Sequence, residues 1–355
     1  MSGVPAVPTR ADLVSLPPYV PGRTVPGTIK LASNEVPGGP LPSVAKAIAE
    51  AATAVNRYPD IAAQGLTERL ARDLNFPATQ IAIGCGSVSL CQQMVQALCA
   101  PGEEVIFAWR SFEAYPIVTQ VANAQSVKVA LTAGHEHDLD AMLAAITPKT
   151  RMLFVCNPNN PTGTAIRRVE LERFLDAVPA DVLVVLDEAY REFVTDTDVP
   201  DGLELVRSRE NVAVLRTFSK AYGLAGLRVG YSVAPEGITT ALKKVYVAFS
   251  VNIVAQAAAI ASLDAVGELM ERVADIVGER SRVRSGLLEA GYEVPDTQAN
   301  FVWLPLGAQA AAFSAHALDN KLVVRAFAGD GVRVTIGTPE ENDLFLDAAR
   351  SFQRG

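Results

Sequence analysis

The sequence predicts an α/β protein: a mainly parallel, seven-stranded sheet sandwiched by helices, followed by a smaller α+β region. Three observations carry that expectation. Seven short β-rich apolar runs alternate with helix-length segments: IAIG at 81, VIFAW at 105, VKVAL at 127, RMLFVCN at 151, VLVVLDEAY at 182, VAVLRTF at 212 and RVGYSVA at 228. Runs that are apolar throughout mark strands covered on both faces, as parallel strands are. The pattern then changes after Ser250, where residues 253–288 are Ala-rich, lack Pro and read as helix. Finally, 355 residues are too many for one compact core.

Taken in order, residues 1–30 are Pro-rich and aperiodic, and are expected to form an extended arm lying on the smaller region or on a second subunit. Tyr19, in LPPYVPG, is either a staple for that arm or part of a substrate pocket. In 42–54 the spacing of Val44, Ala47, Ile48, Ala51 and Val55 predicts an amphipathic helix with Ser43 near its start, stopped before Pro59. A second helix is expected over 65–74. The alternation places a large domain at 31–250. Beyond a hinge near 250, a small domain at 251–355 holds the helical stretch, the apolar runs FVWLPL, LVVRAF and GVRVTIG, and a closing helix from about Glu340 to Phe352.

A net charge of −8 argues against nucleic acid held by phosphate contacts. The first residues lack an apolar core flanked by basic residues, and the most apolar run carries two acids and is far too short for a bilayer. Neither export nor a membrane is expected, which points to the cytoplasm. Cys85, Cys91, Cys99 and Cys156 form no C-x-x-C pair and read as reduced, buried thiols. His135 and His137 flank Glu136 in a Gly-rich turn expected to be solvated, with no third ligand to make a metal site.

In sheets of this kind the chemistry collects at the carboxyl ends of the strands. There lie Gly84-Cys85-Gly86-Ser87, Asn157 to Gly163, Asp187 and Lys220. After IAIG, the G-x-G turn is either simply tight or opens a helix onto an anion through the amides of Ser87 and Val88. NPNNPTG is a turn stiffened by prolines, able to hold an Asn amide in place. Asp187 either caps the next element or pairs with a cation, since a buried unpaired charge is costly. Residues 217–230, TFSKAYGLAGLRVG, set Lys220 among small and aromatic neighbours, with Thr217 and Ser219 before it and Arg228 after it. A lysine so placed can lose hydration and become a nucleophile toward carbonyls, while the hydroxyls and guanidinium suit a phosphate.

These motifs, in this order from LASNE at 31 to GVRVTIGTPEEND at 331, resemble the fold-type I pyridoxal-phosphate aminotransferases. Within them the chain is similar to the histidinol-phosphate aminotransferase branch. GCGSVSLCQQ, WRSFEAY and RTFSKAYGLAGLR are similar to its actinobacterial aromatic (phenylalanine) aminotransferases. The resemblance implies pyridoxal 5'-phosphate as cofactor and a homodimer with composite active sites. It implies that Lys220 is the Schiff-base lysine and proton shuttle, that Asp187 pairs with the pyridine nitrogen, and that Asn160 and Tyr190 donate to the ring 3'-oxygen. Phe112 would stack on the ring. Ser87, Val88, Thr217, Ser219 and Arg228 would hold the phosphate, joined by Tyr58 from the neighbouring subunit. Arg333 would take the substrate carboxylate, with Arg325 assisting or serving a second anionic group, and Asn34 and Tyr19 would line the substrate side. Where relatives often carry G-S-D-E-like residues, this chain has Gly86-Ser87-Val88-Ser89, which keeps the backbone donors.

The implied reaction moves an amino group between small molecules in two half-reactions, from an aromatic L-amino acid to 2-oxoglutarate. Histidinol phosphate is the alternative donor, because Arg325 and Arg333 suit either. A decarboxylase or lyase of the same fold would keep Lys220 and Asp187. A DNA-binding regulator lacks room for its module in the arm. A nicotinamide dehydrogenase lacks the third glycine, position 89 being Ser, and lacks an acid after VIFAW.

Overall fold

The computed structural model describes residues 7, 10–14, 16 and 22–352. Their strands are β1 (Ile29–Leu31), β2 (Ile81–Gly84), β3 (Glu104–Trp109), β4 (Gln125–Ala130), β5 (Thr150–Cys156), β6 (Leu183–Asp187), β7 (Val212–Thr217), β8 (Gly230–Val233), β9 (Phe301–Leu304), β10 (Leu322–Phe327) and β11 (Gly331–Thr335). Each of the seven apolar runs becomes one strand of a sheet ordered β2-β8-β7-β6-β5-β3-β4. Strand β8 is antiparallel to β2 and β7, and the other four pairings are parallel. Every residue of β6 and β7 is buried, as expected of central strands. Edge strand β4 buries only Val129 of its six residues.

Helices cover both faces. Leu66 and Leu70 of Gln64–Leu74, Phe174 of Arg168–Ala177 and Ala255 and Ala258 of Ile253–Asp264 pack into one apolar layer. Leu90 and Met94 of Ser87–Leu98, Val118 of Ala114–Val121 and Leu242 of Glu236–Val245 pack into the other. The helix predicted at 42–54 spans Pro42–Ala52, with Ser43 near its start, Leu41 as the N-cap residue and Pro42 in the first turn, where its missing N–H costs nothing; Val55, expected on its apolar face, lies beyond its end and is exposed.

The stretch 253–288 is helical, as the sequence predicts, but is not one continuous helix. It is two helices, Ile253–Asp264 and Val266–Glu289, meeting at Ala265 with an 82° bend. The first sets small alanines against the large sheet, whereas Val273, Ile276, Val283 and Leu287 of the second join a separate core under the other sheet. Helical periodicity is blind to a change of partner, and packing places the bend at Ala265, two residues before Gly267. No single helix among the described residues is long and apolar enough to cross a membrane.

The second sheet is ordered β1-β10-β11-β9, with β1 parallel to β10 and the other pairs antiparallel. Its edge strand therefore comes from the beginning of the chain. Its register sets Arg325 directly opposite Arg333. The helix Pro339–Ser351 closes the chain behind a capping box, in which Thr338 Oγ1 accepts from Glu341 N and Glu341 Oε2 accepts from Thr338 N.

Candidate active site

The carboxyl ends of the parallel strands and one face of the second sheet enclose a cavity of about 530 Å³. Ser87, Val88, Phe112, Asn160, Asp187, Tyr190, Thr217, Ser219, Lys220, Arg228, Asn34, Arg325 and Arg333 all line it. Tyr19 lies outside the described residues. Tyr58 is not in the cavity of its own chain: it is 81% exposed and its ring meets that of exposed Phe249 in a tilted pair at 4.6 Å.

One end of the cavity is an anion cradle. Gly86, at φ +73°, turns the chain so that the helix Ser87–Leu98 starts with its amides at the cavity wall. A side chain at Gly86 would run into the Arg228 guanidinium, and a Cβ at Gly230 would lie 2.7 Å from Ser87 N. Arg228 adopts the left-handed conformation at φ +60°, a strained geometry for a non-glycine residue that recurs at ligand clamps. Its Nη1 donates to Ser219 Oγ at 3.4 Å and to Ala225 O at 3.2 Å, and Ser219 N donates to Thr217 Oγ1 at 3.1 Å. Hydroxyls, amides and a guanidinium thus converge on one point, a donor set that fits a phosphate.

Deeper in, Asp187 ends β6 with 3% of its surface exposed. Tyr115 Oη donates to Asp187 Oδ2 at 2.8 Å, and Oδ1 finds no hydrogen-bond partner among the described residues. Burial pushes the carboxyl pKa up to about 6, against the pull of the Tyr115 hydrogen bond. An orphaned buried carboxylate oxygen at a cavity wall fits a cationic N–H group supplied by a ligand. Phe112 stands beside it, edge-on to Tyr115 at 5.5 Å.

Lys220 Nζ donates to Ser33 O at 3.0 Å. Burial, then the positive charge of Arg333, pushes its pKa down to about 7, so a large share of the amine is neutral near neutral pH. Tyr190 is buried and its hydroxyl accepts from Asn34 Nδ2 at 2.8 Å, which leaves the phenolic hydrogen free to turn toward the cavity. Arg333 donates to Asn160 Oδ1 through Nη1 and to Ala32 O at 2.7 Å through Nη2.

The doubled NPNNPTG motif divides its labour. Asn157 accepts from Ile166 N at 2.8 Å and donates to Ile166 O at 3.3 Å, and Asn159 donates to Thr162 Oγ1 at 2.9 Å and accepts from Ser111 Oγ at 2.8 Å. Those two brace the loop, which leaves Asn160 to face the cavity.

Three groups escaped the sequence reading. Tyr115 steadies Asp187, and its only signal was its place three residues after Phe112 in WRSFEAY. Glu113 binds Arg325 Nη2 at 2.7 Å. Buried Glu188 takes Arg216 Nε at 3.0 Å and Nη2 at 2.7 Å, and Arg216 also meets Asp201 at 2.6 Å. That cluster ties the end of β6 to the end of β7, fixing Asp187 and Thr217 relative to one another; removing one partner of such a buried pair costs about 3–5 kcal/mol. Two smaller expectations need correction. His137 is buried, not solvated, which lowers its pKa to about 4 and leaves it neutral, and Cys85 is half-exposed while the other three thiols are buried.

The family profile described as "Aminotransferase class I and II" matches residues 26–348. The chain is similar to the aromatic amino acid aminotransferase of Rhodococcus jostii (strain RHA1), 64% identical over 97% of this chain and 95% of that protein. It is 59% identical to the aromatic amino acid aminotransferase of Mycolicibacterium smegmatis (strain ATCC 700084 / mc(2)155), over 96% of this chain and 94% of that one. Among solved structures it is similar to the histidinol-phosphate aminotransferase of Sinorhizobium meliloti in complex with pyridoxal-5'-phosphate, with a TM-score of 0.88, 29% identity and 99% of both chains covered.

Proposed function

The chain belongs to the class I and II aminotransferase family, and from that premise we propose that it transfers the amino group of an aromatic, phenylalanine-like L-amino acid to 2-oxoglutarate, with pyridoxal 5'-phosphate as its cofactor. The observation that carries the reading is the joining, in one cavity, of an anion cradle, an orphaned buried carboxylate oxygen and a lysine amine held near neutrality.

Ser87, Val88, Thr217, Ser219 and Arg228 would hold the cofactor's phosphate, Asp187 its ring nitrogen, Phe112 its ring face, and Asn160 and Tyr190 its ring oxygen. When bound, pyridoxal phosphate withdraws electrons from the substrate's α-carbon and so acidifies the proton there. Lys220 accepts that proton and returns it, a task suited to an amine whose pKa lies near the working pH. Asp187, charged opposite a cationic nitrogen, keeps that nitrogen protonated. Arg333, bracketed by Asn160 and Ala32 O, presents its guanidinium edge to the substrate carboxylate and sets the α-carbon's orientation. Phe112, Ile117 and Phe327 give the substrate's side chain an apolar wall.

The adjacency of Arg325 and Arg333 favours histidinol phosphate as a second reading, since two guanidinium groups suit a dianion. The identity of up to 64% to aromatic amino acid aminotransferases favours the first. Initial rates with phenylalanine and with histidinol phosphate, each against 2-oxoglutarate, separate them. Phenylalanine is expected to give the larger kcat/KM by at least about tenfold, roughly 1.4 kcal/mol in the barrier. The reverse order would transfer the assignment to histidinol phosphate.

A homodimer with composite sites is part of this reading. Tyr58 and Phe249 pack ring against ring, tilted, on the outside of the chain, away from its own cavity, and Val55, Ile61 and Val247 are exposed nearby in sequence. Exposed apolar groups of this kind suit a subunit interface. If Tyr58 reaches the phosphate held by the second copy, Tyr58→Phe removes one hydrogen bond to a charged group, worth about 1.5–3 kcal/mol. The dissociation constant for pyridoxal phosphate is then expected to rise roughly tenfold or more, with the dimer intact by size-exclusion chromatography. Unchanged cofactor affinity would remove Tyr58 from the site.

A further inference from the structure

We propose that Glu113 is a specificity-determining residue: it neutralises Arg325 while an uncharged aromatic group occupies the side-chain end of the cavity, and it weakens, without excluding, the hold on a distal anion such as the second carboxylate of 2-oxoglutarate. The inference rests on the aromatic reading above and adds a residue and a cause to it.

Arg325 and Arg333 are opposite one another on β10 and β11, and both line the cavity. Two guanidinium groups side by side repel each other and, left as they are, make a receptor for a dianion such as a phosphate ester or a dicarboxylate. Glu113 changes that balance. It sits immediately before the helix Ala114–Val121 and accepts from Arg325 Nη2 at 2.7 Å, with the two side chains only 30% and 16% exposed. Shielded from water, such a pair is held more strongly than one on the open surface. A ligand bearing a distal anion, 2-oxoglutarate among them, has to displace the Glu113 carboxylate from Arg325 or lie beside it. The first forfeits the existing contact, and the second adds like-charge repulsion. An aromatic ring does neither, and meets Phe327, whose ring lies 5.5 Å from the Arg325 guanidinium.

The geometry also isolates the charge of Glu113 from its place in the fold. The loop after β3 and the turn between β10 and β11 are joined a second time, by Arg110 and Asp330 at 2.7 Å. Removing the Glu113 charge therefore leaves the two segments connected.

Two non-reacting acids test the inference on the cofactor-loaded protein: 3-phenylpropanoate, with a ring and one carboxylate, and glutarate, with two carboxylates. Their affinities are measured by calorimetry, independently of turnover. Glu113→Gln is expected to raise the ratio of glutarate to 3-phenylpropanoate affinity at least about tenfold, equivalent to about 1.4 kcal/mol. Glu113→Ala gives the same direction of change, and Glu113→Asp stays near the parent ratio. Adding Arg325→Gln to Glu113→Gln abolishes the gain. An unchanged ratio in both Glu113→Gln and Glu113→Ala, or a gain that survives loss of Arg325, overturns the role of Glu113. That failure is separate from failure of the functional reading, which would show as absent phenylalanine turnover by the parent protein.

Discussion

Lys220→Ala is expected to abolish turnover, by more than about 10⁴-fold, because in the proposed function it removes the nucleophile and the proton carrier together. The visible absorbance of the cofactor-loaded protein is expected to disappear with it. The variant should still fold: the Lys220 amine donates to Ser33 O, and its ammonium form is disfavoured already by partial burial and by Arg333. Removing a group whose charged form is penalised by burial leaves stability little changed or slightly raised near neutral pH. Residual phenylalanine turnover within about a hundredfold of the parent would show that another group moves the α-proton.

Asp187→Asn combines a loss with a gain. In the proposed role of Asp187, its carboxylate is what holds the ring nitrogen in its protonated form, and loss of such a preorganised charge costs about 10²–10³ in kcat. Stability of the cofactor-free protein moves the other way. Asp187 has its pKa raised in the folded chain, from 3.8 to about 6, so the folded state binds more protons than the unfolded state between those values. The ionised, buried carboxylate therefore destabilises the fold progressively as pH rises from about 4 to 6, and fully above that, by roughly 3 kcal/mol. Asparagine keeps an acceptor for Tyr115 and carries no charge. Melting of the cofactor-free variant is expected a few degrees above the parent at pH 7.5, with the difference closing as pH falls toward 4. A variant less stable than the parent at pH 7.5 would mean that the contacts of the carboxylate with Tyr115, the Ala189 backbone and the Lys220 charge outweigh the cost of its burial.

Much of this architecture was legible because its physics is local. Central strands such as LVVLD and VAVLRT are apolar at every position, since both faces are covered, and edge strand β4 shows its exposure in Ser126 and Lys128. The cavity residues stood out because each lies where a strand ends in a turn: Gly86 after β2, Asn160 after β5, Asp187 at the end of β6, Thr217 at the end of β7. What stayed hidden depends on partners distant in sequence. The bend at Ala265 comes from two helices serving two cores. Glu113 is an ordinary exposed acid until β10 places Arg325 against it, 212 positions later. Glu188 reads as one more acid beside Asp187, yet it is buried against Arg216 and Asp201, which no short-range pattern reports. The positions of Asn157 and Asn159 were visible, but their work as braces was not, because Ser111 and Ile166 lie outside the motif.

The most direct test of the central claim is borohydride reduction of the purified, cofactor-loaded protein, followed by mass spectrometry of its peptides. The account predicts a phosphopyridoxyl group on Lys220 and on no other lysine. A colourless protein that gains no such mass, or one that carries it on a different lysine, would contradict it.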